Sequence, residues 1–405
     1  MRTTERVHNG LMTVSYWQRS FGGRRESGSL PPACDVAIIG GGVCGVSLAL
    51  ELEQGGRQAV VLERGAIGSG ASSKNAGFLM RGAADNYARA VEMYGRARAR
   101  LVWRLSEENL AVLREDGVGG LATYRDVPSC LVAIDEAEAE ELRRSHDLLV
   151  EDGFASALVE SGADALWSSG AAIVALSNPG DASCNPCELM AHLTSRLATE
   201  PVERCEVAGL EVAGGRVTLH TSRGTMGASR VVVCANAFSP GVLPRLASAI
   251  QPNRGQMLAI EGAGLELHAS YYVNRGHEYL RQTPDGTIVV GGMRGRFVQE
   301  ERTSEDETTG ELQAALEVFA ADVLGRNAGS LRVTDRWAGT MGFTEDGLPI
   351  IGAVDPDAIV WVCAGFNGHG MSLARCCARA CAREMLGGDA SPFPLSRILE
   401  PATLE

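Results

Sequence analysis

One stretch near the start of the chain limits its fold more than any other feature. The β-branched run 36–39 leads directly into Gly40-Gly41-Gly42-Val43-Cys44-Gly45, an apolar helical stretch follows over 46–53, and a second apolar run spans 59–62. This order predicts a strand, a tight turn, a helix and a second strand, which together form a βαβ unit. The glycines match the spacing G-x-G-x-x-G in the strand-to-helix context in which that motif holds a dinucleotide.

Each glycine of this turn has a separate physical task. Gly40 permits the tight turn, Gly42 lets a pyrophosphate approach the helix N-terminus, and Gly45 lets the helix pack closely on the strand. Glu63, at the end of the second strand, is placed to accept hydrogen bonds from a ribose hydroxyl and to repel a 2′-phosphate. The motif therefore favours NAD or FAD over NADP, and it does not distinguish the first two.

The composition excludes several other classes of protein. The 405 residues suffice for two or three domains, and 37 basic against 50 acidic residues give a net charge of −13, which disfavours binding to nucleic acid. The 11 cysteines are scattered and glycines interrupt the longest apolar stretch, so we expect a cytoplasmic protein without a membrane span or a disulfide framework. Lys74 is the single lysine, so chemistry that needs a lysine amine can use only that residue.

Further segments of the chain resemble one family. Together with the glycine turn, they resemble the D-amino-acid oxidase superfamily of FAD-dependent oxidoreductases, and they lie at 65–77, 230–237, 251–257, 346–352 and 363–371. The lead-in Ser15-Tyr16-Trp17 and the run G-F-N-G-H-G at 365–370 look most similar to the γ-glutamylputrescine oxidase-like and glycine/sarcosine oxidase-like branches. The resemblance implies that the dinucleotide is FAD.

The resemblance also implies a mixed α/β and α+β fold in two domains. One is a Rossmann FAD domain of the glutathione-reductase type and the other is a substrate domain with an antiparallel sheet. The FAD domain would be assembled from 33–84, 150–238 and 336–405, and the substrate domain from 85–149 and 239–335. Residues 1–32 are expected to form a surface extension, which Tyr16 and Trp17 hold to the body.

The same resemblance implies which residues hold the cofactor. The backbone of Val207 would hold the adenine, and the helix that opens at 366–370 would direct its N–H groups at the flavin pyrimidine. Thr340 stands near the place where one branch attaches the flavin to a cysteine, so we expect non-covalent FAD. The complete predicted cofactor-binding set is Gly40, Gly42, Val43, Cys44, Gly45, Glu63, Arg64, Ser72, Ser73, Lys74, Asn75, Ala76, Val207, Ala235, Asn236, Gly339, Gly365, Phe366, Asn367, Gly368, His369, Gly370 and Met371.

Four residues are predicted to be catalytic. Lys74 would place a cation near the flavin that stabilises the reduced anion or developing superoxide. The sarcosine-oxidase branch has an oxygen-activating lysine in a strand that corresponds to 286–294, and Arg294 is the nearest substitute here. His369 would donate a hydrogen bond to the cofactor, and Tyr279 would orient the substrate.

The substrate-contacting residues leave two interpretations open. Met341 occupies the position at which amino-acid-specific members carry an arginine that clamps the substrate carboxylate. Either the substrate is an amine without an α-carboxylate, or Arg254, Arg281 or Arg294 replaces the clamp. Tyr271, Tyr272 and Tyr279 lie with His277 in a predicted hairpin at 271–292, and these aromatic residues would form a cage for a cationic amine. The predicted set is Arg254, Tyr272, His277, Tyr279, Arg294 and Met341.

We therefore expect an enzyme that oxidises the C–N bond of an amine or amino acid. A hydride would pass to flavin N5, water would hydrolyse the imine, and oxygen would be the acceptor. A dehydrogenase that uses a quinone or a carrier, and a non-catalytic FAD-binding subunit, remain open alternatives. No metal is expected, and Cys184 and Cys187 fit the start of a helix at Pro186 better than a redox pair. The sequence predicts neither the individual substrate nor the oligomeric state.

Overall fold

The chain alternates helices and strands throughout the computed structural model, which describes residues 13–21, 27–83, 85–262, 264–327 and 329–402. The strands are β1 (Ala33–Ile39), β2 (Ala59–Leu62), β3 (Phe78–Leu79), β4 (Arg125–Asp126), β5 (Ser129–Ala133), β6 (Ala157–Val159), β7 (Val174–Asn178), β8 (Ala182–Ser183), β9 (Val207–Ala213), β10 (Arg216–Thr221), β11 (Gly224–Val233), β12 (Gln251–Ile260), β13 (Ser270–Val273), β14 (Glu278–Gln282), β15 (Ile288–Gly292), β16 (Val333–Phe343), β17 (Ile350–Ala353) and β18 (Val360–Ala364). The α-helices are α1 (Tyr16–Ser20), α2 (Val43–Gln54), α3 (Tyr87–Tyr94), α4 (Arg96–Glu115), α5 (Glu136–Glu151), α6 (Ala165–Ser168), α7 (Pro186–Ser195), α8 (Ser239–Val242), α9 (Gly310–Val323) and α10 (Gly370–Met385). Within those residues, none of the helices combines the length and the apolar character needed to cross a bilayer.

A seven-stranded sheet contains the predicted βαβ unit. Its order is β17-β18-β11-β1-β2, and the β9-β10 pair is attached to β11. β1 pairs in parallel with β2 and β11, and β18 pairs in parallel with β11. Val36 and Ile38 face a core shared with α2 and α10, whereas Ala37 and Ile39 face a second core on the opposite side. The carboxyl ends of β1, β11 and β18 therefore meet at one edge, where ligands of such sheets bind.

A second sheet has eight strands in the order β16-β12-β15-β14-β13-β5-β7-β6. Its neighbouring strands are antiparallel except for the parallel pair β13 and β5. Leu312 and Leu316 of α9 pack against one face, and Met257 and Trp337 lie in a separate cluster on the other. This largely antiparallel sheet, beside the first, confirms the predicted mixed fold.

The strand pairings bear on the predicted domain boundaries, which remain a prediction. β6 and β7 lie within 150–238 but pair in the eight-stranded sheet. Most of β16 lies within 336–405, yet the whole strand pairs with β12 in the same sheet. A division made by sheet membership would therefore move 157–178 and 336–343 from the FAD segments to the substrate segments.

The short helix α1 is fastened to both parts of the molecule. Its Ser15 hydroxyl accepts the N–H of Gln18 at 3.1 Å, which caps the helix. Trp17 is 2% exposed and donates from Nε1 to the Asn75 carbonyl at 2.7 Å, and Tyr16 donates to Asp285 at 2.5 Å. These contacts confirm the predicted anchoring by Tyr16 and Trp17, while residues 1–12 and 22–26 lie outside the described residues.

Candidate active site

The glycine turn between β1 and α2 leaves no room for side chains. Gly40 has a φ of +111°, and a Cβ there would lie 2.7 Å from the Cys234 carbonyl oxygen. A Cβ on Gly45 would collide with the Gly40 carbonyl, so only glycine lets α2 approach β1 this closely. Gly42 stands at the N-cap of α2, where it adds no side chain. The N-terminus of α2 is thereby open to an anion such as a pyrophosphate.

Glu63 closes the same turn from the opposite side. Its two carboxylate oxygens accept the N–H groups of Gly41 at 2.8 Å and Gly65 at 2.7 Å. Burial raises the pKa of Glu63 above its usual value, and the two backbone hydrogen bonds oppose that shift. A carboxylate oxygen can accept more than one hydrogen bond, so Glu63 retains the capacity to bind a ribose hydroxyl.

A cavity of about 630 Å³ runs from this turn to the eight-stranded sheet. Of the predicted cofactor-binding residues, those that line it are Gly40, Gly42, Val43, Cys44, Glu63, Arg64, Ser72, Lys74, Asn75, Ala76, Val207, Ala235, Asn236, Gly339, Phe366, Asn367, Gly368, His369, Gly370 and Met371. Gly45, Ser73 and Gly365 lie behind this wall. The expected cofactor contact of Ser73 is corrected, because its hydroxyl donates to the Gly68 carbonyl at 2.6 Å and accepts from Gln18 at 2.7 Å.

Two asparagines hold the backbone from which α10 begins. Oδ1 of Asn236 accepts the N–H groups of Gly365 at 3.0 Å and Phe366 at 3.4 Å. Asn367 adopts a positive φ of +51°, and its Oδ1 accepts the N–H of Thr344 at 2.9 Å. These bonds fix the turn before the helix, so its first residues line the cavity in a defined orientation.

Aromatic side chains line the far end of the cavity. Tyr272 and Tyr279 are directly opposite each other on β13 and β14, with ring centroids 5.5 Å apart, and Phe78 packs edge-on against Tyr272 at 5.2 Å. A Cβ on Gly291 would collide with the Tyr279 ring, so the glycine in β15 makes room for it. Burial raises the pKa of Tyr279 to about 12, so its hydroxyl stays protonated at neutral pH.

The predicted aromatic cage needs one correction. His277 and Met341 line the same cavity as the two tyrosines, as the sequence predicts. Tyr271, which was grouped with them by position in the hairpin, donates instead to buried Asp164 on the other side of the sheet. The reason is that successive residues of a strand face opposite sides.

Arg294 brings a guanidinium to this end of the cavity. It follows Met293, which has a φ of +63°, and its Cζ lies 4.5 Å from the centroid of the Phe343 ring. Within the described part of the chain, no carboxylate forms an ion pair with Arg294. Burial lowers the pKa of Arg294, but a guanidinium keeps its proton at neutral pH. The cavity therefore contains an uncompensated positive charge.

The other two arginines considered for the carboxylate clamp are used elsewhere. Arg254 makes two bonds to Glu301, at 2.8 and 2.9 Å, and both side chains are buried. Arg281 donates to the carbonyls of Ala76 at 2.5 Å and Cys184 at 2.8 Å. The expected contact of Arg254 with the substrate is therefore corrected to a structural ion pair, because both carboxylate oxygens of Glu301 accept hydrogen bonds from one edge of its guanidinium.

Lys74 lies in the cavity wall, but its charge is compensated. Its buried ammonium pairs with Asp306 and lies 3.4 Å from the Thr13 hydroxyl. Burial lowers the pKa of Lys74, and Asp306 opposes that shift. The electrostatic role expected for Lys74 stays a prediction, and the nearby carboxylate reduces the field that its ammonium can exert.

His369 lies where α10 begins and faces the same cavity. Its Nδ1 is 3.1 Å from the carbonyl oxygen of Asn367, which can only accept, so Nδ1 carries the proton. Nε2 is buried, and it has no hydrogen-bond partner among the described residues. In the neutral ring Nε2 is an acceptor, which differs from the donor role that the sequence predicts for His369.

Comparison with known proteins identifies the family of the chain and its cofactor. A family model described as FAD dependent oxidoreductase matches residues 35–384 of the chain. The chain belongs to this family. The match confirms the resemblance found in the sequence and makes FAD the cofactor of this oxidoreductase.

Individual relatives within the FAD-dependent oxidoreductases are distant but nearly full-length. Gamma-glutamylputrescine oxidoreductase of Escherichia coli (strain K12) is 25% identical over 398 residues, which cover 89% of this chain and 85% of the relative. Glycine oxidase of Geobacillus kaustophilus is 26% identical over 381 residues, which cover 90% and 97%. The crystal structure of glycine oxidase from Geobacillus kaustophilus aligns with a TM-score of 0.75 at 20% identity over 93% of this chain and all of that one, which shows a shared fold.

The geometry fits the FAD of this oxidoreductase family. The open N-terminus of α2 suits the pyrophosphate, and a Cβ on Gly42 would press within 2.9 Å of the Ser72 hydroxyl and fill that space. At the same end of the cavity, the Arg64 guanidinium lies 3.9 Å from the centroid of the Phe238 ring. The cavity therefore offers an anion-binding site for the pyrophosphate at its glycine-turn end.

Several residues of the wall are missed by reasoning from sequence. Phe343 lies two positions after Met341 on β16, so the period of two along a strand could have revealed it. Phe238 follows the segment matched at 230–237 by one position. Ser304 lines the cavity from the loop that also carries Asp306, and nothing local in the sequence predicts where that loop folds.

The cysteine pair is structural in character. Within the described residues, the thiols of Cys184 and Cys187 are free, and burial raises their pKa values to about 12 and about 11. Cys184 immediately precedes Asn185, which caps α7, and Pro186 occupies the first turn as predicted. Across the described part of the chain, no cluster of three His, Cys, Asp or Glu side chains could hold a metal ion.

Proposed function

We propose that this oxidoreductase oxidises the C–N bond of an amino acid whose carboxylate binds Arg294. The observation that carries the proposal is the position of Arg294, a guanidinium in the cavity beside Tyr279 that no described carboxylate neutralises. A guanidinium matches a carboxylate through two parallel hydrogen bonds. This favours an amino acid over an amine without an α-carboxylate, and glycine oxidase is among the relatives.

The residues of the cavity would bind and orient this substrate. Arg294 anchors the carboxylate, and the rings of Tyr272 and Tyr279 exclude water from the substrate carbon. Tyr279 keeps its proton at neutral pH, so its hydroxyl can donate a hydrogen bond to the substrate. When bound, FAD supplies the oxidising chemistry by taking a hydride from the substrate carbon, and water then hydrolyses the imine.

We further propose molecular oxygen as the electron acceptor. Arg294 supports this because, once the product carboxylate has left, it is again an uncompensated cation in the cavity, and such a cation stabilises a developing superoxide anion. A quinone or a carrier is the alternative, and the pairing of Lys74 with Asp306 favours it by removing a second free cation from the cavity wall.

We also propose that the FAD is bound without a covalent link. Thr340 lines the cavity near the place where one branch has the attaching cysteine, and a threonine hydroxyl does not form that bond. Acid precipitation of the purified protein should therefore release the whole yellow chromophore into the supernatant. Colour that stays with the precipitate would contradict non-covalent binding.

Anaerobic titration of the purified holoenzyme tests the proposed function. Glycine, N-methyl amino acids, D-amino acids and L-amino acids are each added, together with polyamines and the decarboxylated amine of each amino acid. Bleaching of the flavin band by one amino-acid class, and not by its decarboxylated amine, is the expected result. Bleaching only by amines without a carboxylate would contradict the role of Arg294, and no bleaching at all would favour the non-catalytic subunit.

Re-oxidation of the bleached flavin within seconds on admitting air would support oxygen as the acceptor.

A further inference from the structure

We infer that Nε2 of His369 accepts the proton of the substrate ammonium group. The inference rests on the proposed function and adds to it the group that converts the bound amino acid into its reactive form. An ammonium nitrogen has no free electron pair, so it cannot assist the loss of hydride from the neighbouring carbon. A primary ammonium group keeps its proton up to about pH 10, so at neutral pH the enzyme meets the charged form.

The hydrogen bonds of His369 assign the role to one ring nitrogen. Nδ1 donates to the Asn367 carbonyl at 3.1 Å, and the main chain of His369 is fixed by a bond from its N–H to the Phe366 carbonyl at 2.8 Å. Nε2 is left with a lone pair that has no partner among the described residues. A buried acceptor without a partner lowers the stability of the protein. Its presence would be explained if this nitrogen receives a proton during turnover.

The surroundings of the His369 ring keep it neutral before the substrate binds. Tyr272 lies nearly parallel to it, with ring centroids 6.5 Å apart, and the positive end of the α10 dipole begins at His369 itself. Burial and the charge of Arg294 lower the pKa of His369, while Asp85 and the bond to Asn367 oppose the shift. At pH 7 the imidazole is therefore neutral, and the lone pair of Nε2 is free to accept a proton.

Substrate binding would raise the pKa of His369. The carboxylate of an amino acid neutralises Arg294, and this removes the charge that disfavours an imidazolium nearby. The N–H bond of the ammonium breaks, its electron pair stays on the substrate nitrogen, and the proton forms a new bond to Nε2. Recognition of the carboxylate thus makes His369 a stronger base, and an amine without a carboxylate lacks this effect.

The pH dependence of flavin reduction in the holoenzyme tests this inference. The rate constant for reduction divided by Kd is measured anaerobically between pH 6 and pH 10 for wild type, His369→Gln and the control His146→Gln. His146 bonds to Ser156 at 3.0 Å, away from the cavity, so its variant should follow the wild type. We expect a nearly flat profile above pH 7 for the wild type. His369→Gln should rise about tenfold per pH unit toward pH 10, so that a few-fold deficit at pH 10 becomes a deficit of about 1000-fold or more at pH 7.

A second measurement does not depend on turnover. Nitrogen-15 spectra of histidine-labelled holoenzyme should show His369 protonated on Nδ1 alone, and added acetate should raise its pKa in the wild type but not in Arg294→Met. A deficit of His369→Gln that is equal at every pH, or a ring protonated on Nε2, would overturn the inference. Those results leave the proposed function intact if amino acids still bleach the wild-type flavin, whereas absence of bleaching is a failure of the proposed function itself.

Discussion

The two ends of the cavity recognise their ligands by different means. At the glycine turn, recognition comes from the backbone: a helix N-terminus whose N-cap residue Gly42 has no side chain, and positions where any Cβ would collide. At the eight-stranded sheet, it comes from the side chains of Tyr272, Tyr279, Arg294 and His369. A substitution at the first end therefore acts through steric exclusion and affects every substrate equally. A substitution at the second end acts through charge or proton transfer and affects substrates differently.

Gly45→Val should have the largest effect. The added side chain meets the Gly40 carbonyl, which belongs to the backbone and cannot move aside, so overpacking costs about 3 kcal/mol or more. We expect loss of bound flavin and a lower melting temperature, measured from the visible spectrum and thermal unfolding of the purified variant. Gly119→Ala is the matched control, since nothing lies within 4 Å of its added Cβ. A Gly45→Val protein with full flavin content would show that backbone sterics do not define this end.

Arg294→Met should separate the two ends most clearly. Removal of a buried charged partner of a carboxylate costs about 3 kcal/mol, so kcat/KM for an amino acid should fall about 100-fold. The rate with the decarboxylated amine should change much less, and FAD content should not change. Arg296→Met, at an exposed position of the same turn, serves as the control. An equal loss for both kinds of substrate would show that Arg294 does not act through the substrate carboxylate.

Phe238→Ala should produce a smaller and purely cofactor-related effect. Its ring lies under the Arg64 guanidinium, and such contacts contribute about 0.5–1 kcal/mol at partly exposed sites. The Kd of FAD, measured by flavin fluorescence on titration of the apoprotein, should increase about two- to five-fold. The ratio of rates for an amino acid and its decarboxylated amine should stay constant, and a change in that ratio would show that the two ends are coupled.

Cys187→Ser should have the smallest effect. Burial raises the pKa of this thiol to about 11, so at neutral pH it is protonated and unreactive. We expect kcat/KM within about twofold of the wild type and no difference in activity between oxidising and reducing buffers. A redox-dependent activity in the wild type that is lost in the variant would restore the redox interpretation of Cys184 and Cys187.

The difference between the two ends also explains what the sequence could predict. The glycine turn and Glu63 lie close together in the chain, within one βαβ unit, so their spacing carries the geometry, and the predicted βαβ unit is confirmed. The substrate end is built from strands that are far apart in sequence. Whether Arg254 or Arg294 faces the cavity depends on Glu301, and no local pattern shows that this carboxylate binds Arg254.

The paired charges are the part least accessible from sequence. Lys74 stands out as the single lysine, but its partner Asp306 is 232 positions away on a loop without regular structure. Likewise, the sequence does not show that Arg294 lacks an ion-pair partner among the described residues. That becomes clear only when the partners of the neighbouring carboxylates are known. The alternation of side chains along a strand predicts that Tyr271 and Tyr272 face opposite sides of the sheet. It does not predict which of the two faces the cavity.

Binding of an unreactive carboxylate tests the division of the cavity most directly. Acetate and acetamide have nearly the same size and shape, and they differ in charge. The flavin difference spectrum is titrated with each ligand in wild type and Arg294→Met. We predict that acetate binds the wild-type holoenzyme at least about tenfold more tightly than acetamide, and that Arg294→Met abolishes this preference. Equal affinities in the wild type, or a preference that survives in Arg294→Met, would contradict the assignment of Arg294 as the carboxylate anchor.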